Sequence, residues 1–343
     1  LHSTKMWVEK WSEKHQRPYF QKNKKTAWKG HKTTGQLYDA LVCTKTKRLE
    51  TALLSVREHN RFVKGGAMQC AKIVAVGQWH QVQQLRVFGR SADDLVIHHL
   101  PALKVLDVGC GDGTDLRRWT FDDDKRWVTH VHGFDVSVKS VDAAKKNKAC
   151  WKTIKGFSQG VDIQYKVHDA RKSEPWTDVF DQTSTYDVIS CMHCLPYIFS
   201  SQKVAKAFFQ RAADACRSGG ALVAMYPGEE ELAAHMWGVG RNTRYVELPE
   251  WYDLTSRSPA PKNTGARPPL PYTLELPGAV PSGAIEYTVP KAGLLQVLRA
   301  AGWRVLVHES AQAFAIRRHM WQVPFADAYV TSKINNVLVC LKR

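Results

Sequence analysis

The chain has 343 residues, 44% of them hydrophobic, and a formal net charge of +17. That length holds one large α/β domain with a small appendage, the apolar content excludes wholesale disorder, and no apolar run approaches the ~18–20 residues of a membrane span. The charge excess points to a polyanionic partner, RNA or DNA, and supplies affinity rather than sequence specificity. The first residues, Leu-His-Ser-Thr-Lys, lack the apolar core of a signal peptide. Eight cysteines without an even framework fit a reducing compartment. Cys191-Met-His-Cys194 has no second pair at zinc spacing and reads as ordinary buried thiols, so no metal site is expected.

Residues 1–50 hold 12 Lys/Arg against 4 Asp/Glu, close to half of the charge excess. Within them Trp7, the pair Tyr19-Phe20, Asn23 and Trp28 follow the order of a WW domain, which the segment 1–34 resembles. That resemblance implies a small three-stranded sheet whose aromatics clamp a Pro-rich peptide. The other reading is a basic arm whose aromatics pack on the main domain or stack on RNA bases. Leu37, Leu41, Leu49, Leu53 and Val56 recur near helical spacing over 36–64. Another helix then leads toward the first core strand.

Val105-Leu-Asp107-Val-Gly109-Cys-Gly111-Asp-Gly113 is an apolar run that ends in an acid and three glycines at alternate positions. It reads as a buried strand breaking into a tight turn, with a helix starting at Asp115. Glycine is needed where the backbone takes positive φ or a ligand approaches closely. Strands follow over Val128–Asp135, Ile163–Asp169, Tyr186–Cys191 and Gly219–Tyr226, with helices over Val138–Ala149 and Val204–Ser218 between them. Alternating strands and helices predict a mostly parallel sheet covered on both faces. Prolines over 255–283 break the rhythm and predict a loop or insertion. A helix over Lys291–Ala301 and strands over Trp303–Val307 and Asn336–Cys340 complete the domain, 35–343.

The Asp-x-Gly-x-Gly-x-Gly pattern resembles the first motif of class I S-adenosylmethionine methyltransferases, which implies an α/β, Rossmann-like fold and that cofactor. Asp135 ends the second strand roughly 20 residues after the glycine turn, where a carboxylate accepts both ribose hydroxyls of an adenosine. Asp169 ends the third, within reach of an adenine amino group. Asp107, Gly109 and Gly111 form the turn near the cofactor's ammonium end.

From about residue 56 to the end, more of the chain resembles the messenger RNA cap guanine-N7 methyltransferases. Asn60-Arg-Phe-Val-Lys64 is similar to that family's Asn-Asn-Trp-Ile-Lys, whose lysine reaches the methionyl carboxylate. Tyr186-Asp-Val-Ile-Ser-Cys-Met-His-Cys-Leu-Pro-Tyr-Ile-Phe199 is similar to its Phe-Asp-Ile-Cys-Ser-Cys-Gln-Phe-Val-Cys-His-Tyr-Ser-Phe. Tyr226-Pro227-Gly228 matches its Thr-Pro-Asn, and Tyr272-Thr-Leu-Glu-Leu with Ile285-Glu286-Tyr-Thr-Val289 matches its Tyr-x-Phe-x-Leu and Pro-Glu-Tyr-Leu-Val blocks. The resemblance implies capped RNA as substrate, with Asn60, Pro196, Tyr197, Pro227 and Glu286 on the substrate side. It implies S-adenosyl-L-homocysteine as product, a monomer and a nuclear location. Glu286 would fix the guanine edge and Tyr197 would pack beside the purine. Three positions depart from the family: Pro196 replaces a His, Met192 replaces a cofactor-contacting Gln, and Asn336 replaces a cap-contacting Tyr. Cys194-Leu-Pro-Tyr197 also resembles the Asn-Leu-Pro-Tyr of adenine-N6 methyltransferases. Two alternatives therefore stay open: a cap-adjacent adenine as acceptor, or an inactive cap- or RNA-binding adaptor.

Overall fold

The computed structural model describes residues 7–12, 17–22, 60, 63–77, 102–120, 128–152, 160–180, 185–230, 232–233, 253–256, 269–275, 285–317 and 334–343. Near the N-terminus, β1 (Trp7–Ser12) and β2 (Arg17–Lys22) pair antiparallel, Trp7 opposite Lys22 and Ser12 opposite Arg17. The rest of the WW-like segment, with Asn23 and Trp28, and most of the helix expected over 36–64 lie outside the described residues. Helix α1 spans 63–75.

The domain is built on seven strands: β3 (Leu103–Val108), β4 (Val128–Asp135), β5 (Asp162–Val167), β6 (Tyr186–Met192), β7 (Cys216–Pro227), β11 (Trp303–Ser310) and β12 (Asn335–Lys342). Their spatial order is β11-β12-β7-β6-β3-β4-β5. The five from β7 to β5 run parallel, while β12 is antiparallel to both β7 and β11. The chain winds outward one way from β3 through β4 to β5 and the other way from β6 to β7. This is the class I methyltransferase architecture expected from the sequence. It places a topological switch between β3 and β6, where α/β sheets take their ligands.

Side chains alternate across the sheet and fill two core layers. Leu103, Val105, Val131, Ile163, Val188 and Val223 face the layer that contains α1. Leu106, Val108, Phe134, Ile189, Leu222 and Leu338 face the other. That second layer is closed by α4 (Leu195–Ile198), α5 (Gln202–Ala215) and α6 (Lys291–Ala300). The short α2 (Leu116–Thr120) follows the glycine turn, α3 (Val138–Lys152) joins β4 to β5, and α7 (Ala311–Arg317) follows β11.

Two expectations are corrected. The helix predicted to reach Ser218 ends at Ala215, because Cys216 turns extended and pairs with Tyr186 at the start of β6. The Pro-rich stretch read as a loop contains a strand. β9 (Pro271–Glu275) lies between β8 (Asp253–Ser256) and β10 (Ile285–Tyr287) in an antiparallel three-stranded sheet. Proline opens β9 at its first residue, a place where a missing N–H is tolerated in a strand. This small sheet brings Tyr272 opposite Glu286 and packs β10 against α4.

Candidate active site at the carboxyl ends of the parallel strands

The turn after β3 is held from its neighbour. The amides of Gly109 and Cys110 both donate to the Phe134 carbonyl, at 2.9 and 3.1 Å. Gly109 has φ 69°, and a Cβ there would stand 2.7 Å from the Cβ of Cys194. Gly111 has φ 53° and nothing within 4 Å of where its Cβ would be, so its backbone borders open space. The Gly111 N–H donates to Asp135 Oδ2 at 3.0 Å, and the Ser137 N–H donates to Oδ1 at 2.9 Å. The Asp135 carboxylate is thus fixed in orientation at the strand end, with lone pairs left for other donors.

Asp107 is buried, opposite Ser190 of β6 in the parallel ladder. Burial pushes its carboxyl up to about 7, and the nearby charge of Asp115 adds to the rise. Asp115 is buried too, but Lys64 Nζ at 3.0 Å and Arg118 Nη1 at 2.7 Å surround it. Burial raises Asp115, and the two cations more than offset this and hold it below the ordinary carboxylate range. Lys64 reaches this place from α1, 51 positions away from Asp115 in sequence.

His193 was not among the residues singled out from the sequence. It has φ 62°, left-handed backbone that a side chain rarely adopts, and its N–H donates to the Met225 carbonyl at 2.7 Å. Burial, then the charge of Lys64, pushes its imidazole down to about 3. Val136, Val138 and Val167 were missed as well. Val136 follows the last residue of β4, Val138 opens α3 and Val167 ends β5 opposite Asp135, and all three are exposed. An apolar residue directly after the strand-end acid was the available signal.

The acceptor side centres on Glu286. Its side chain is 4% exposed, yet its carboxylate is ionisable. The Tyr272 hydroxyl donates to Oε2 at 2.6 Å and the Tyr197 hydroxyl donates to Oε1 at 2.9 Å. Burial raises the Glu286 carboxyl, and the two hydroxyls offset part of that rise. Tyr197 is 39% exposed on α4. Cys194, the N-cap of α4, stands against Gly109, so the helix that carries Tyr197 starts beside the glycine turn.

The remaining expected residues fall as follows. Met192 ends β6 and is buried in the layer that contains α1. Pro196 is buried in the first turn of α4, and Pro227 is buried as the last residue of β7. Asn60 is half-buried and itself helical. Asp169 lies beyond the end of β5, and Arg171 already holds it, with Nη2 on Oδ2 at 2.8 Å and Nε on Oδ1 at 3.0 Å. An adenine amino group would share that carboxylate with a guanidinium. Asn336 lines a cavity of about 170 Å³ with Tyr226, Glu229, Lys291 and His308, which neither Glu286 nor Tyr197 lines. Cys194, at the place of the adenine-N6 enzymes' Asn, has its thiol 2.9 Å from that of Cys191.

These residues fit S-adenosylmethionine. Open space borders the Gly111 backbone, and the oriented Asp135 carboxylate keeps lone pairs that vicinal hydroxyls could use.

Comparison with known proteins gives the family. The sequence model of the mRNA (guanine-N(7))-methyltransferase domain matches residues 75–314. The mRNA cap guanine-N(7) methyltransferase of Caenorhabditis briggsae is 28% identical over 140 residues, 40% of this chain and 34% of that protein. The enzyme of the same description from Schizosaccharomyces pombe is 22% identical over 223 residues, 64% of this chain and 55% of that protein. The chain thus spans about a third to a half of the length of these relatives. Among solved structures, a S-adenosylmethionine-dependent methyltransferase from Clostridium acetobutylicum aligns over 71% of this chain and 85% of that one, with 10% identity and a TM-score of 0.45.

Proposed function

Since this chain belongs to the mRNA (guanine-N(7))-methyltransferase family, we propose that it transfers a methyl group from S-adenosylmethionine to guanine N7 of an RNA cap. The observation that carries the reading is the buried Glu286 carboxylate, held by two tyrosine hydroxyls, one of them from α4, whose N-cap Cys194 stands against the glycine turn. When bound, S-adenosylmethionine supplies an electrophilic methyl on a sulfonium.

Guanine N7 carries a lone pair and no proton, so the chain needs no general base. What it must do is hold the base in line, and positioning of this kind supplies much of a methyl-transfer rate. Glu286 accepts from guanine N1–H and the 2-amino group. Tyr197, the more exposed of the two tyrosines, packs beside the purine and yields its hydrogen bond as the base arrives. Asp135 accepts from the ribose hydroxyls, Asp107 faces the ammonium group and Lys64 the carboxylate of the cofactor. His193, neutral and fixed to the Met225 carbonyl, shapes the wall between them. The basic N-terminal segment steers the triphosphate-bearing RNA, and its hairpin takes a Pro-rich peptide. The nucleus, where caps are made, is the proposed location.

The test is a transfer assay with labelled S-adenosylmethionine on two short RNAs. One has an unmethylated guanosine cap. The other has a cap already methylated at N7, followed by adenosine. Label recovered as 7-methylguanosine from the first alone is the expected result. Label in the adenosine of the second would replace the acceptor, and none in either would leave a binding protein.

A further inference from the structure

Glu286 has two partners of different kinds. Tyr272 stands directly opposite it in the β9–β10 ladder, so both side chains share one face of the small sheet. Tyr272 is fully buried and its hydroxyl donates the shorter of the two bonds, 2.6 Å to Oε2. Tyr197 donates from the cleft side, at 2.9 Å to Oε1, and is the side chain that a ligand can displace. The inner anchor stays when the outer one leaves.

The last torsion of a glutamate is broad and roughly two-fold, so packing alone leaves the plane of its carboxylate loosely set. A hydroxyl bonded to one oxygen removes that freedom. The lone pairs that remain then lie in one plane, open toward the cleft. Two parallel N–H donors on one edge of a planar base satisfy such an acceptor, as guanine N1–H and its 2-amino group do. Hypoxanthine presents the first donor and lacks the second. Adenine has no hydrogen on N1.

We propose that Tyr272 is a positioning residue that sets the plane of the Glu286 carboxylate, and so gives the site its preference for a base with a 2-amino group beside N1–H. This rests on the methyl transfer to cap guanine proposed above. Tyr272 touches neither base nor cofactor in this role. It acts through Glu286 in two ways: it holds the carboxylate plane, and its hydrogen bond favours the ionised form.

The experiment compares the whole chain with Tyr272→Phe on two RNAs that differ only in the cap base, guanosine or inosine. The value of kcat/KM is measured on each. With the hydroxyl present, guanosine is favoured about tenfold or more, the scale of one hydrogen bond to a charged acceptor. In Tyr272→Phe the guanosine cap loses about tenfold, mainly through KM, and the guanosine-to-inosine ratio falls to within about threefold of one. The acid limb of kcat/KM against pH moves to higher pH, because a bond that favours the carboxylate is gone. The affinity for S-adenosylmethionine stays unchanged, which separates this from general damage.

A guanosine-to-inosine ratio that persists in Tyr272→Phe overturns the inference, whatever happens to total activity. No transfer to the guanosine cap by the unmodified chain overturns the functional reading itself, and the inference with it. If Tyr272→Phe does not fold, 3-fluorotyrosine placed at position 272 carries the test. Its more acidic hydroxyl binds the carboxylate more strongly, and the acid limb must move to lower pH. A limb that does not move overturns the proposal.

Discussion

At the scale of single residues, the glycines of the turn do different things and can be separated by experiment. Gly109 combines a positive φ with a neighbour that a methyl would strike, while Gly111 has the positive φ alone and open space beyond it. Gly109→Ala is expected to destabilise the fold by about 2–4 kcal/mol, backbone strain plus a clash against Cys194, read as a lower urea midpoint. Gly111→Ala is expected to cost only about 1–2 kcal/mol of stability. Its methyl enters the space assigned to S-adenosylmethionine, so affinity measured by calorimetry falls tenfold or more while the chain remains folded. Asp107 offers a pH test of its own. Its carboxyl is pushed up to about 7, so it gains its charge between pH 6 and 8. An ammonium group binds the charged form better. Affinity for S-adenosylmethionine should therefore rise several-fold over that interval, and Asp107→Asn should flatten the profile.

At the scale of elements, α1 and the turn after β3 are joined through one buried carboxylate. Asp115 binds Lys64 of α1 and Arg118 of α2, so removing its charge leaves two cations facing each other. Asp115→Asn is expected to cost about 2–3 kcal/mol in urea unfolding, discounted from a fully buried pair because Lys64 and Arg118 keep some contact with water. The sign with pH follows from the lowered carboxyl. The stability Asp115 contributes is fully present above the ordinary carboxylate range and is lost as pH falls through its lowered value. The variant should lack that loss on acidification. The same element scale explains where sequence reasoning fell short. The prolines around 255–283 hid β9, because a short strand flanked by prolines has the local chemistry of a loop. Its pairing with β8 on one side and β10 on the other makes it a strand.

At the scale of the molecule, the charge of +17 bears on how RNA is met rather than on how the methyl moves. Residues 1–34 contain 9 Lys/Arg and 2 Asp/Glu. Their removal is expected to flatten the rise of KM with salt on a long capped RNA, since fewer phosphate contacts release fewer counterions. Turnover on a capped dinucleotide, which offers little backbone, should stay within about twofold. The parts legible in the sequence were those with local causes. An apolar run ending in Asp107 and three glycines is a strand and a turn by its own chemistry. Asp135 lies at a strand end because hydrophobic alternation stops there, and the cap-family blocks around Tyr197 and Glu286 were readable as continuous strings. What the tertiary structure alone decided depends on partners far apart in the chain. Lys64 meets Asp115 across 51 positions, Tyr197 meets Glu286 across 89, and His193 is forced into left-handed backbone between the turn and β7. Asp169 shows the limit from the other side: expected to end β5, it lies two residues beyond Val167, and Arg171 holds its carboxylate. Local sequence determines where a charged group can stand. The packing around it determines which partner it finds, because burial makes one hydrogen bond worth keeping over another.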